Sequence, residues 1–260
     1  VDVYWVLTES VVRGMRYGYR LLSAGTVLRT GEDLIMFDTG FGDGGALERE
    51  LARLSLRPED FTFVFNTHLH IDHMGGNLLF RNAKKVVSRQ EYLYQKRFNQ
   101  EFISADDKEA FIRGNYRTLT DEQVSRIADT VSSVHGNEFE ERIARWEDSC
   151  LFVEDDPPLP GCVQIIRTPG HTPFHLSFKI RGKEQAAVVP GDLIPSRRSF
   201  LEGKNSFIEV YTDRTQADMS MKRLRLSIRA HRETVVHPSH DRPFVVKTGR
   251  YVGKNRYQML

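Results

Sequence analysis

The sequence predicts an α/β protein in which sheets are covered by helices. Three observations carry this. The first third holds short apolar runs bounded by turn residues, at 3–7, 34–37 and 61–65. The middle, 88–146, is polar and helix-like. The last third returns to short apolar runs, at 163–166, 176–180, 186–189 and 234–236. Apolar runs of about four to eight residues between turn signals suit buried strands. Strand blocks alternating with helical blocks suit sheets with helical layers on their faces.

Taken in order, Gly31-Glu32-Asp33 is the turn before the strand at 34–37, and Asp38-Thr39-Gly40 ends that strand. Leu47, Leu51 and Leu54 recur at i, i+4 and i+7, one face of a short helix that stops before Pro58. The run 61–65 leads straight into a group of histidines. Within 88–146, Thr120 and Gln123 have capping-box spacing ahead of Val124-Ser125-Arg126-Ile127. This region is long for a connection between core strands, and long excursions in compact domains tend to be functional or disordered. It is therefore expected to form a helical cap that sets substrate choice. One or two of Tyr92, Tyr94, Phe98, Phe102, Phe111 and Tyr116 would face the pocket. Asp213 is placed to cap a helix whose stripe of Ala217, Met221, Leu224 and Ile228 packs on the core. No repeat, low-complexity tract or Gly/Ser linker interrupts the chain. Residues 1–260 read as a single domain with the cap inserted at about 88–146.

Bulk properties narrow the function classes. The chain has 260 residues, 40% apolar and 28% charged, with a formal net charge of +2. That near balance demands no nucleic-acid or anionic-membrane partner, and none is expected. No apolar run approaches the ~20 residues that span a bilayer. The start, VDVYWVLTES, has neither the basic residues nor the apolar centre of a signal peptide, although a removed targeting segment would leave no trace in it. Cys150 and Cys162 read as reduced thiols, which points to the cytoplasm. Oligomeric state is left open.

The chemistry concentrates in Asn66-Thr67-His68-Leu69-His70-Ile71-Asp72-His73. In extended backbone, residues i and i+2 face one side, so His68 and His70 can share a metal ion. A turn after Ile71 brings Asp72 and His73 to a neighbouring position. Gly75-Gly76 then allows the backbone to approach closely. Imidazoles and carboxylates suit zinc and related divalent ions. Further candidates each follow a predicted strand: His171 in Thr168-Pro169-Gly170-His171, Asp192 in Pro190-Gly191-Asp192, and His237 or His240 in His237-Pro238-Ser239-His240-Asp241. Of the last two, His240 is the choice, because the chain has left the strand there and can turn. His175 is either a residue that orients a ligand or a structural one. His135 and His231 read as surface residues.

With these motifs in place, the chain resembles the metallo-β-lactamase-fold superfamily. The resemblance covers Asp38-Thr39-Gly40, the His-x-His-x-Asp-His run, Thr-Pro-Gly-His, Gly-Asp and the final Ser-His-Asp. It implies a four-layer αβ/βα sandwich with two metal ions at one edge of the sheets. It implies His68, His70 and His171 at the first ion, Asp72, His73 and His240 at the second, and Asp192 bridging them. Asp38 would be structural. The ligand pattern looks like that of lactonases, phosphotriesterases, glyoxalase II and RNase Z. Pro190-Gly191-Asp192-Leu193-Ile194 resembles the quorum-quenching lactonase and methyl parathion hydrolase branch. Some of those lactonases carry Tyr three residues beyond the bridging aspartate, where this chain has Pro195.

The implied activity is hydrolysis of a small ester-like molecule such as a lactone, ester or phosphotriester. A hydroxide bridging two ions ~3.5–4 Å apart would attack, and Asp72 would take the proton. Zinc is the default metal, with manganese, iron or cobalt also suited to such ligands. The alternative is a glyoxalase-II-like thioester hydrolase docking its conjugate on Lys247, Arg250, Lys254 and Arg256. A nuclease would call for a more basic chain. A non-catalytic binding module would be expected to have lost ligands.

Overall fold

A computed structural model describes residues 2–13, 18–42, 45–116, 119–134, 137–182, 185–204, 211–247 and 250–254. The strands are β1 (Asp2–Arg13), β2 (Gly18–Arg29), β3 (Leu34–Phe37), β4 (Phe63–Phe65), β5 (Lys84–Val87), β6 (Cys150–Phe152), β7 (Val163–Arg167), β8 (Leu176–Arg181), β9 (Ala186–Val189), β10 (Glu233–Val236), β11 (Phe244–Lys247) and β12 (Arg250–Lys254). The helices are α1 (Ala46–Arg53), α2 (Ile71–Met74), α3 (Arg89–Ser104), α4 (Lys108–Asn115), α5 (Asp121–Val134), α6 (Asn137–Trp146), α7 (Arg197–Glu202) and α8 (Arg214–Arg229).

Among the described residues the strands form two mixed six-stranded sheets, β1-β2-β3-β4-β5-β6 and β12-β11-β10-β9-β8-β7. In the first, β3 through β6 run parallel; in the second, β9 and β10 are the parallel pair. The inner faces meet in one core, where Leu28, Ile35, Phe37, Phe65 and Val86 pack on Leu176, Phe178, Ile180, Val189 and Val235. Three rings hold its centre, with Phe178 at 5.2 Å from Phe37 and 5.4 Å from Phe65. Such offset aromatic contacts add to the burial of each ring.

The outer faces are covered by helices. Val27, Met36 and Val64 take Leu47 and Leu51 of α1. On the other side Val188, Val236 and Val246 take Met221, Leu224 and Ile228 of α8 and Phe200 of α7. The order is helix, sheet, sheet, helix, the four-layer sandwich that the resemblance implies. Asp213 caps α8 by accepting from the Gln216 amide, as its position predicts. Thr120 and Gln123 close a reciprocal capping box at the start of α5, at 2.7 and 3.3 Å.

The segment 88–146 is helical, as read from the sequence. Its inner cluster is Phe98, Phe102, Ile112, Tyr116, Val124 and Ala128. Tyr92, Ile143 and Trp146 instead pack on Leu69, Ile71 and Met74. Arg142 also donates to the Gly75 carbonyl at 3.0 Å. The helices therefore sit against the histidine-bearing loop.

Some boundaries differ from expectation. The strand read at 3–7 is the first part of the longer β1, and that read at 61–65 begins at Phe63 because Phe61 has left the sheet to pack on Phe80. Strands β2, β5, β6, β11 and β12 were not legible. The side chains of Arg250 and Lys254 lie outside the described residues, as do His135 and Arg256. No helix among the described residues is long and apolar enough to cross a membrane. Cys150 and Cys162 are both free thiols, and burial pushes the Cys150 thiol up to about 12.

Candidate metal centre

Four loops leave the carboxyl ends of β4, β7, β9 and β10 and converge at one edge of the two sheets. The first carries His68, His70, Asp72 and His73. His70 lies in extended backbone, and α2 then turns Asp72 and His73 back toward the first two histidines. The second carries His171, the third Asp192 and the fourth His240.

The donor atoms form two outer groups, His68-His70-His171 and Asp72-His73-His240, linked by a third, His68-His73-Asp192. Nε2 of His68 lies 3.0 Å from Nδ1 of His70, and Nε2 of His171 lies 3.1 Å from that same nitrogen. On the other side, Asp72, His73 and His240 bring their donor atoms within 4.8 Å of one another. Asp192 stands between. Its Oδ2 is 3.3 Å from His171 Nε2, while its Oδ1 is 3.1 Å from His73 Nε2 and 3.0 Å from His240 Nε2. Asp72 Oδ2 is 3.6 Å from His73 and 3.7 Å from His240.

This arrangement fits divalent cations. Donors bound at about 2.0–2.1 Å around a tetrahedral ion stand about 3.3 Å apart, close to the nitrogen spacings here. Nδ1 of His70 faces two Nε2 atoms at once, and a ring nitrogen can share only one proton. Nε2 of His73 is fully buried and faces Asp192 Oδ1 at 3.1 Å.

The electrostatics agree. Burial, helped by His73, His70 and His171, holds His68 well below the usual imidazole range. Burial also pulls on His73, but Asp192, Asp72 and Asp38 outweigh it and hold the ring well above that range. His240 is raised in the same way, chiefly by Asp192. Burial would raise Asp192, yet His240, His73 and His171 keep its carboxyl well below the usual carboxylate range. The centre of the cluster thus favours positive charge, which protons or cations can supply.

A second ring of residues fixes these groups. Asp38 Oδ2 is 2.9 Å from His73 Nδ1, and Thr67 donates to the same carboxylate through its amide and its hydroxyl, each at 2.8 Å. Ser239 donates to Asp192 Oδ1 at 2.6 Å. Gly191, at φ +56, has no room for a side chain: a Cβ there would meet His175 Nε2, Thr67 Cβ and Thr67 Oγ1, each at 2.7 Å. His175 is fully buried, its Nδ1 2.9 Å from Thr168 Oγ1, and burial holds it well below its ordinary range. Glu91 is buried under the histidine loop and accepts from the Leu69 amide at 3.4 Å, and burial raises its pKa.

All seven sequence-derived ligand candidates meet at this edge. His237 does not: its amide donates to Val188, it joins no donor group among the described residues, and burial lowers its ring to about 4. His231 lies at the far end of the second sheet, against Lys179. Sequence reasoning missed Thr67, Ser239 and Glu91. The first two sit inside motifs already singled out. Glu91 is hidden because Ser88 and Glu91 have capping-box spacing. Ser88 does accept from the Glu91 amide, but the Glu91 carboxylate turns toward Leu69 instead of back to Ser88.

A model described as the metallo-beta-lactamase superfamily matches residues 19–240. The chain belongs to the metallo-beta-lactamase superfamily. Within that superfamily it is 26% identical over 142 residues to an N-acyl homoserine lactonase of Bacillus cereus, covering 54% of this chain and 40% of that protein. It is 28% identical over 134 residues to the N-acyl homoserine lactonase AttM of Azorhizobium caulinodans, covering 51% and 40%. The alignments thus span about two fifths of the length of these curated relatives. Among solved structures, AidC, a dizinc quorum-quenching lactonase in complex with a product, superposes with a TM-score of 0.66 at 20% identity, covering 92% of this chain and 81% of AidC. The hydrolase AbOPH superposes at 0.59 and 20% identity, covering 92% and 80%. At these identities the structural likeness speaks to the metallo-beta-lactamase fold alone.

Proposed function

We propose that this protein is a hydrolase of small ester-like molecules, with a lactone as the leading substrate, and that it works with two divalent cations. The observation that carries the reading is Asp192, whose two carboxylate oxygens address two separate sets of imidazoles. The first ion would be held by His68, His70 and His171, the second by Asp72, His73 and His240, with Asp192 shared. Zinc is the default metal. The curated relatives, named as N-acyl homoserine lactonases, support a lactone over other esters.

Bound there, the two cations would supply water activated at neutral pH and positive charge for the oxygen that becomes anionic. The chain's own residues supply the rest. Asp72 is the more accessible carboxylate of the cluster, its side chain 14% exposed against 3% for Asp192. It is therefore the group that takes the proton of the attacking water and passes it to the leaving oxygen. Asp38 and Thr67 hold His73 with Nε2 turned inward. Ser239 holds one oxygen of Asp192. The helices of 88–146 act as a cap that meets the His171 loop where Tyr94 packs on Phe174; their rings are 6.4 Å apart and both are half-buried. The thioester alternative loses one of its docking cations, because Lys247 is paired with Glu233 at 2.8 Å.

The test is a panel of N-hexanoyl homoserine lactone, an aryl ester, a phosphotriester, a glutathione thioester and RNA, offered to the zinc-loaded full chain. Hydrolysis of the lactone, lost on chelation and restored by zinc, is expected. Turnover of thioester or RNA alone would overturn the reading.

A further inference from the structure

A second group of charged side chains lies at the opposite end of the second sheet. Strands β9 and β10 run parallel, with Asp192 and His240 beyond their carboxyl ends. Where they start, and where β8 stops, a pocket of about 510 Å³ is lined by Lys179, Arg181, Ala186, His231, Arg232 and Glu233 among others.

Among the described residues its charge is one-sided. Four of those side chains are basic and one is acidic, and the acid, Glu233, is already paired with Lys247. Among the described residues no carboxylate lies within ion-pair distance of Lys179, Arg181, His231 or Arg232. Lys179 is the least expected of them. It is only 9% exposed, and the partner of its ammonium is Nε2 of His231. An ammonium has N–H donors only, so His231 must accept and stay neutral at that atom, and among the described residues no anion offsets the Lys179 charge. Burial, with Arg181 beside it, lowers the Lys179 pKa, in keeping with a cation short of an anion. The carbonyls at the end of α8 account for one nearby cation through the helix dipole. They do not account for Lys179, Arg181 and Arg232 together around a cavity.

We propose that this pocket binds a phosphate group, with Lys179 at its floor and Arg181 and Arg232 at its rim. Guanidinium groups match the oxygen geometry of phosphate, and a lysine adds a point charge. The cavity is large enough for a phosphate ester as well as the free ion. The site is independent of the metal centre and of the reaction proposed there.

Calorimetric titration of the full chain with inorganic phosphate, in a chloride background near 0.15 M, tests this. A parallel titration with a nucleoside monophosphate separates the free ion from an ester. Saturable binding to the wild type is expected. In R181Q/R232Q it should weaken at least about tenfold, as expected for two lost charged hydrogen bonds. In H68A, which disturbs only the metal edge, it should persist. Both positions in the double variant are exposed, and its melting temperature should match the wild type. Absence of saturable binding, equal binding by the double variant, or loss in H68A would each overturn the proposal.

Discussion

Nδ1 of His73 lies 2.9 Å from Oδ2 of Asp38, and this contact aims the opposite nitrogen of the ring at Asp72 and Asp192. Partners of this kind set the tautomer and orientation of a metal-binding imidazole, and their loss typically costs about 10–100-fold in metal affinity. Asp38→Ala should therefore weaken the second ion by that order and leave the first in place. Competition with a chelator at graded strength measures both affinities. Equal retention of both ions would show that Asp38 serves the fold alone.

Replacing the two carboxyl-terminal histidines separately gives a second prediction. His240 stands 3.0 Å from the Asp192 carboxylate, while His237 joins no donor group among the described residues. His240→Ala should lose one metal equivalent and His237→Ala none, as counted by elemental analysis of purified protein. The reverse pattern would move the ligand to His237.

Gly191→Ala is predicted to damage both stability and metal binding. A left-handed conformation costs a non-glycine residue about 1–2 kcal/mol. The new methyl would also press on Thr67 and His175 at 2.7 Å. Because Thr67 leads into the histidine run and Gly191 precedes Asp192, relief of the clash shifts both. A lowered melting temperature with weaker zinc retention is expected. An unchanged melting temperature would mean that the turn yields without strain.

Tyr94 on α3 and Phe174 beside His171 should shape substrate preference. Their rings meet 6.4 Å apart at the boundary between the helical segment and the metal edge. Tyr94→Ala should change the ratio of kcat/KM for long- and short-chain acyl lactones, with little change in bound zinc. A ratio that stays constant across chain length would remove the helices from substrate choice.

The site was more legible than the scaffold that carries it. His68, His70, Asp72 and His73 fall within six consecutive positions, and that density of donors survives any uncertainty in the elements around them. Strands β3 and β9 were readable because both faces are buried, so their apolar runs are unbroken. Strand β5 was obscured by Lys84 and Lys85. Lys85 is buried all the same, because its ammonium donates to the Phe80 and Ala83 carbonyls. Strand β2 was obscured by Ser23 and Thr26, polar residues that are nonetheless buried. The choice of His240 was available from local chain direction, since Pro238 and Ser239 separate it from β10. Glu91 was not available, because its contact with Leu69 depends on how α3 docks against the loop.

Counting zinc per chain in wild type and in Asp192→Asn, with lactone hydrolysis measured on the same samples, tests the two-cation site most directly. The prediction is two zinc ions and turnover in the wild type, and loss of at least one ion with most of the activity in the variant. Two ions and full activity in Asp192→Asn would contradict it.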